Sequence, residues 1–273
     1  MNKKYIFLDI DGTLVDFDGK MPESSFEALK RAHQNGHELV ICTGRQLSQV
    51  YPWLLDGAAF DGLILSGGAM VIRKGETIFH DCFSKEQLKY VLGYFESKKI
   101  PYYLQTAATL VSKKWCTESS SRIFKLNGFD LKALDDLFGV TLIDENLIER
   151  TDVEKIVYYG AEKDVSEMQK EVGSDYHIVG YSFGNMGKTN GELSLDGINK
   201  ATGIFEYLNY CDADISDSIA FGDADNDIEM LEAAGISVAM GNATDELKAL
   251  ADFVTAPITE DGLYKAFKKF NLI

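Results

Sequence analysis

Positive charge is scarce in this chain. Its 273 residues hold 27 Lys and Arg against 43 Asp and Glu, a formal net charge of −16, and the sequence pI is about 4.7. That balance argues against nucleic acid or an anionic membrane face as a partner, since both are bound through clustered Lys and Arg. An anionic ligand would need a site of locally reversed sign, supplied by a metal ion or a few placed cations. Long apolar runs are missing as well. Tyr5-Ile6-Phe7-Leu8 is too short for a signal peptide, and no stretch approaches the roughly 20 residues of a membrane-spanning helix. The expectation is a cytoplasmic protein, with no protein partner implied. The four cysteines (Cys42, Cys82, Cys116, Cys211) lack CxxC spacing and read as free thiols in a reducing compartment. The four histidines (His33, His37, His80, His177) lack metal-ligand spacing, which argues against a histidine-built metal centre. Internal repeats and low-complexity linkers are also absent.

What the chain does have is a strand-then-helix alternation at both ends. Residues 5–8, 38–42, 63–65, 218–221, 237–240 and 253–254 are short continuous apolar runs, the pattern of parallel strands covered on both faces. Segments 24–35 and 227–234 between them carry helical periodicity, and Gly36 is a plausible helix stop. The middle differs. Stretches 101–104, 155–160 and 177–181 are β-like, while 85–98, 130–138 and 161–172 are amphipathic and helical. The expected fold is therefore α/β. A doubly wound parallel-sheet (Rossmann-like) core over residues 1–82 and 188–273 carries an inserted α+β cap over 83–187. Tyr102, Tyr103 and Trp115 in the insert read as packing aromatics rather than a ligand platform.

In open α/β sheets, ligands bind just beyond the carboxyl ends of the strands. The residues following the expected strands are Asp9-Ile10-Asp11-Gly12-Thr13, Thr43-Gly44-Arg45, Ser66-Gly67-Gly68 and Gly222-Asp223-Ala224-Asp225-Asn226-Asp227. Acids, hydroxyls and glycines thus converge on one sheet edge. Asp9 and Asp11 lie two residues apart in extended chain, so both carboxylates can face one site at roughly 7 Å. Gly12 permits a sharp exit, and Thr13 adds a hydroxyl. A carboxylate can attack phosphorus, but like charges about 4 Å apart repel by about 4 kcal/mol at an effective dielectric of 20. Magnesium, which takes carboxylate, carbonyl and phosphate oxygens, removes that obstacle. The acids around Asp223 are the natural further ligands.

A calcium loop is excluded at both acidic clusters. An EF-hand starting at Asp9 or Asp223 needs Gly at its sixth position and Glu at its twelfth. The first offers Leu14 and Lys20, the second Ile228 and Ala234. Thr43 with exposed N–H groups at a helix start would make an anion cradle, though alone it also fits a plain N-cap. Lys200 near a helix start is disfavoured by the dipole unless an acidic pocket holds it.

Asp9-x-Asp11-Gly12-Thr13, Thr43-Gly44-Arg45, Lys200 and Gly222-Asp223-x-x-Asn226-Asp227 resemble the four motifs of the haloacid dehalogenase-like superfamily, in order and at the usual spacing. Ala239-Met240-Gly241-Asn242-Ala243, Ala251-Asp252 and Glu260-Asp261-Gly262 narrow the resemblance to the Cof-type phosphatases. That branch carries a large α+β cap (class IIB) between the second and third motifs. The resemblance implies a magnesium-dependent phosphatase acting on a small phosphorylated metabolite, sugar phosphates first. Asp9 would be the nucleophile and Asp11 the general acid and base. Asp9, the Asp11 backbone carbonyl and Asp223 would hold Mg2+, with Asp227 a supporting acid behind them. Ile10, Thr43, Gly44, Lys200 and Asn226 would bind the phosphoryl group, and the cap would close over the site and choose the substrate. Cys42 stands where Ala is common and Ala201 where Gly is common. A sugar phosphomutase of the same superfamily and a non-catalytic sugar-phosphate-binding regulator are the alternatives.

Overall fold

Tyr5-Ile6-Phe7-Leu8 form β1 (Tyr5–Leu8), and all four side chains are buried. The alternation of a strand explains how. Tyr5 and Phe7 meet the ring of Tyr207 edge-on at 6.4 and 5.9 Å, so Ile6 and Leu8 face the opposite side. A strand apolar on both sides belongs in the middle of a covered sheet, and β1 sits between β2 (Glu38–Cys42) and β12 (Ser218–Gly222), parallel to both. This computed structural model describes residues 2–57, 60–132, 141–180 and 189–273. The chain divides into two units, one of Met1–Arg45, Val50–His80 and Asn199–Ile273, the other of Gln46–Gln49 and Asp81–Ile198.

The first unit holds an eight-stranded sheet of order β14-β13-β12-β1-β2-β3-β4-β5. Its further strands are β3 (Gly62–Leu65), β4 (Met70–Arg73), β5 (Glu76–His80), β13 (Ser237–Ala239) and β14 (Phe253–Val254). Strands β14 to β3 run parallel, as an α/β reading requires. The antiparallel β4–β5 hairpin, which the apolar runs did not reveal, extends the sheet beyond β3. Helix α1 (Glu23–Gln34) packs on α9 (Gly262–Lys269), and Phe221 of β12 meets Phe267 of α9 at 5.3 Å. The Tyr207 face is covered by α6 (Lys200–Tyr210) together with α7 (Ile228–Ala233), which in turn packs on α8 (Asp245–Leu250). The short helix α2 (Pro52–Gly57) follows β2.

The second unit is α+β. Its sheet has the order β10-β11-β9-β6-β7-β8, built from β6 (Tyr102–Gln105), β7 (Leu110–Ser112), β8 (Leu142–Ile143), β9 (Lys155–Tyr158), β10 (Tyr176–Gly180) and β11 (Gly191–Leu195). Helices α3 (Lys85–Ser97), α4 (Lys114–Leu126) and α5 (Val165–Val172) accompany it. Capping boxes at Ser84/Gln87 and Asp164/Glu167 fix the starts of α3 and α5. Tyr102 is fully buried, its hydroxyl donating to Glu96 and its ring set edge-on to Trp115. It is a packing residue. Tyr103 packs edge-on against Tyr159. The helix expected over 130–138 lies for the most part outside the described residues.

The expected second boundary at 187/188 needs correcting. Residues 191–195 belong with the insert, because β11 pairs antiparallel with both β9 and β10. Its alternating burial, Leu193 and Leu195 in, Glu192 and Ser194 half-out, is that of a half-covered antiparallel strand. The return to the first unit falls at Asn199.

Candidate active site

Central strands of the parallel sheet deliver parts of the site as their pairing runs out. Asp9 follows β1, and its N–H still donates to the Phe221 carbonyl at 3.1 Å. Asp223 follows β12. The two loops interlock at Gly12, whose φ of +85° favours glycine, and where a Cβ would stand 2.1 Å from Asp223 Oδ2. Thr13 Oγ1 donates to Asp223 Oδ1 at 2.9 Å, which orients that carboxylate. Asn242 braces the turn from behind. Its Nδ2 donates to the Gly12 carbonyl at 2.9 Å, while its Oδ1 accepts from Ile258 N–H at 2.9 Å.

Lys200 is the first residue of α6, with Asn199 as N-cap accepting from Thr202 N–H at 3.0 Å. The loop after β3 seats that cap. Gly68, at φ +106°, lets the Asn199 carbonyl approach to 2.0 Å from where a Cβ would stand. Lys200 Nζ then reaches Asp9 Oδ1 at 2.6 Å and Asp227 Oδ1 at 2.5 Å, with its side chain 2% exposed. The helix dipole disfavours a cation there, and two carboxylates outweigh it. Asp227, fully buried, spends its other oxygen on the N–H groups of Asp223 and Ala224 at 2.9 and 3.1 Å, which fixes the loop carrying Asp223.

Carboxylate oxygens of Asp9, Asp223 and Asp227 lie within 4.8 Å of one another. Three buried carboxylates around one ammonium leave two negative charges in excess. Burial, then the neighbouring acids, push Asp9 and Asp223 well above the ordinary carboxylate range, against the pull of Lys200. Burial would lower Lys200, but Asp227 and Asp9 hold it raised and charged. Among the described residues, Asp9 Oδ2, Asp223 Oδ2 and the Asp11 carbonyl accept no hydrogen bond. Hard oxygen donors and two uncompensated charges fit Mg2+, which favours carboxylate and carbonyl ligands.

The remaining expected residues divide. Ile10 is fully buried as a side chain, and its carbonyl accepts the N–H groups of Leu14 and Val15, closing the turn after β1. No helix starts at Thr43, which leads instead into the loop between β2 and the 3-10 turn of Leu47–Gln49. The Thr43 N–H continues the sheet to the Ile64 carbonyl at 2.9 Å, and its hydroxyl accepts from Arg45 N–H at 3.2 Å. Gly44 follows in the same loop, and Asn226 is exposed in a short 3-10 turn beside Asp227. The Asp11 side chain forms a two-pronged ion pair with Arg45, both contacts 2.7 Å. Arg45, the third residue of Thr43-Gly44-Arg45, had no role in the sequence reading. Thr13 and Asn242 stood in quoted motifs without their partners.

The sequence profile of a family described as haloacid dehalogenase-like hydrolase matches residues 6–267. The chain belongs to that family. YkrA of Bacillus subtilis (strain 168) is 30% identical over 280 residues, covering all of both chains. The 5-amino-6-(5-phospho-D-ribitylamino)uracil phosphatase YitU of the same organism is 28% identical over 281 residues, 97% of this chain and 96% of its own. Among solved structures, the haloacid dehalogenase subclass IIB sugar phosphatase BT4131 superposes with a TM-score of 0.80 at 30% identity, covering 99% of this chain and 100% of that one. This haloacid dehalogenase-like hydrolase is accordingly a phosphatase of the Cof type. No helix among its described residues is long and apolar enough to cross a membrane.

Proposed function

We propose that the protein is a magnesium-dependent phosphatase that hydrolyses a small phosphate monoester through an aspartyl-phosphate on Asp9. One observation carries this. Asp9 has one oxygen tied to Lys200 at 2.6 Å and the other without a hydrogen-bond partner among the described residues, beside two further buried acids. A carboxylate so held is oriented for attack rather than engaged in structure. Asp9 through Oδ1, Asp223 and the Asp11 carbonyl would hold Mg2+, which leaves Asp9 Oδ2 for attack, with Asp227 securing the Asp223 loop and Lys200. When bound, the ion would offset the excess negative charge and draw electron density from the phosphoryl oxygens.

In the first step Asp9 Oδ2 bonds to phosphorus as the bond to the ester oxygen breaks. The leaving oxygen takes the electron pair and a proton from Asp11. In the second, the Asp11 carboxylate accepts a proton from water as the water oxygen bonds to phosphorus, releasing inorganic phosphate and the free Asp9 carboxylate. Proton donation to a poor leaving group is worth about 10²–10⁴ in rate. Lys200, still bonded to Asp9, stabilises negative charge building on the phosphoryl group. Thr43, Gly44 and Asn226, on the loops around the cluster, are the candidate contacts to its other oxygens, with Ile10 shaping the turn between the two aspartates.

Sugar and sugar-alcohol phosphates are the favoured substrates, supported by the kinship with BT4131 and YitU. The insert over Asp81–Ile198 would select among them. A panel of phosphate monoesters, assayed for phosphate release with magnesium and with excess chelator, tests the reading. Release should need the metal and fall by roughly 10⁴-fold or more in Asp9→Asn. Absence of release from every ester would sink the enzyme, and release surviving in Asp9→Asn would sink the nucleophile.

A further inference from the structure

Resting on the phosphatase reading, in which Asp11 is the acid and base, we propose that Arg45 is the residue that positions Asp11 for proton transfer. Asp11 needs such a residue. Its side chain is 49% exposed, whereas that of Arg45 is 17% exposed. A short acid so exposed samples several rotamers unless something holds it. Among the described residues only Arg45 holds the carboxylate, with Nε donating to Oδ2 and Nη2 to Oδ1. A planar guanidinium contacting both oxygens sets the orientation of the carboxylate plane as well as its distance, which a single ammonium contact does not.

Arg45 is itself held from three sides. Its N–H donates to Thr43 Oγ1 at 3.2 Å, and its carbonyl accepts from Ser66 N–H at 2.9 Å. The guanidinium carbon lies 4.7 Å from the centre of the Tyr51 ring, and Nη2 donates to the Tyr51 hydroxyl at 3.2 Å. Tyr51 in turn stacks on Trp53 at 5.5 Å and 26°. The cation is thus the fixed member of the pair and Asp11 the member being placed.

The test compares two esters that differ in their need for a proton. An alkyl phosphate such as glucose 6-phosphate releases a poor leaving group, while p-nitrophenyl phosphate releases one that departs largely unaided. Arg45→Lys keeps the charge and loses the fork. It should lower kcat on the alkyl ester by about 10–100-fold and on the aryl ester by less than about threefold, with KM for both within about twofold. Asp11→Asn should show the same selectivity, and adding Arg45→Lys to it should cost no more than about twofold, because the two act as one unit. Equal losses on both esters, a raised KM, or additive losses in the double variant would overturn the inference. Tyr51→Phe, which removes only the hydroxyl, should reproduce the selectivity at about threefold. It carries the test should Arg45→Lys melt below the assay temperature, and an unselective Tyr51→Phe then overturns the inference. The alkyl ester is the best sugar phosphate of the panel; wild-type protein inert toward every ester of that panel would overturn the phosphatase reading and this inference together, whereas an active wild type with unselective variants overturns the inference alone.

Discussion

Replacing Lys200 by Met removes one positive charge from the centre of the buried cluster while nearly keeping the side chain's length. The ammonium sits 2.6 Å from Asp9 and 2.5 Å from Asp227, at 2% exposure. Breaking such a pair strands its partners, a loss of about 3–5 kcal/mol. The three carboxylates left behind lie within 4.8 Å of one another, and each ionised pair at that distance repels by about 3.5 kcal/mol at an effective dielectric of 20. At roughly 2–4 °C per kcal/mol, melting should fall by roughly 6–20 °C. The sign with pH follows from the raised Asp9 and Asp223. A carboxylate whose folded pKa lies above its unfolded value loses stability as pH climbs past the ordinary 3.8. The deficit should therefore be small near pH 4 and full near pH 8, and excess Mg2+ should recover more stability in Lys200→Met than in the wild type, because the ion is then the sole cation facing three acids. Thermal unfolding followed by circular dichroism, at both pH values with and without magnesium, measures all of this. A melt unchanged within about 2 °C near pH 8 without metal would refute the charge balance drawn for the cluster.

Two further outcomes concern residues around and behind the cluster. Thr13→Val removes the donor that orients Asp223, and the magnesium concentration giving half-maximal activity should rise about 10–100-fold with the melt little changed; an unaltered magnesium requirement would count against that role. Burial would raise Glu38, but hydrogen bonds from Arg73, Lys3 and Tyr207 hold it at about 2, so its stabilising contribution is full above the unfolded value of 4.5 and is lost as pH falls through about 2. Glu38→Gln should consequently melt lower than the wild type at neutral pH and alike near pH 2, in parallel acid titrations of both.

Much of the site was legible because its chemistry is local in sequence. Asp9 and Asp223 follow apolar runs whose two buried faces fix them as central parallel strands, and the strand ends then bring the acids together. By local chemistry alone Lys200 was legible only as an oddity, a cation at a helix start, and its role came from the resemblance; the acids that hold it are far away in sequence. The Arg45–Asp11 pair was not legible, since it depends on how far two side chains reach across neighbouring loops. The β4–β5 hairpin carried a weak signal. Lys74 and Gly75 turn it with φ of 49° and 83°, the mirror-image geometry usually announced by Asn-Gly, and Lys in the first place hides it. β11 fell within the expected core range although Glu192-Leu193-Ser194-Leu195 alternates with period two, the pattern of the half-covered antiparallel strand it forms.

The place of β1 in the sheet bears on how the protein is made. Its neighbour β2 leaves the ribosome soon after it, but the other neighbour, β12, pairs through Ser218–Phe221 with residues 5–8 and is synthesised far later. Until then one edge of this fully apolar strand has no mate, a state prone to pairing with other chains. The same late segment brings Asp223 and Asp227, so closure of the sheet and assembly of the acidic cluster are one event. A nascent chain holds Asp9 from the start, yet gains the acids that join it in the cluster only when its fold is nearly complete.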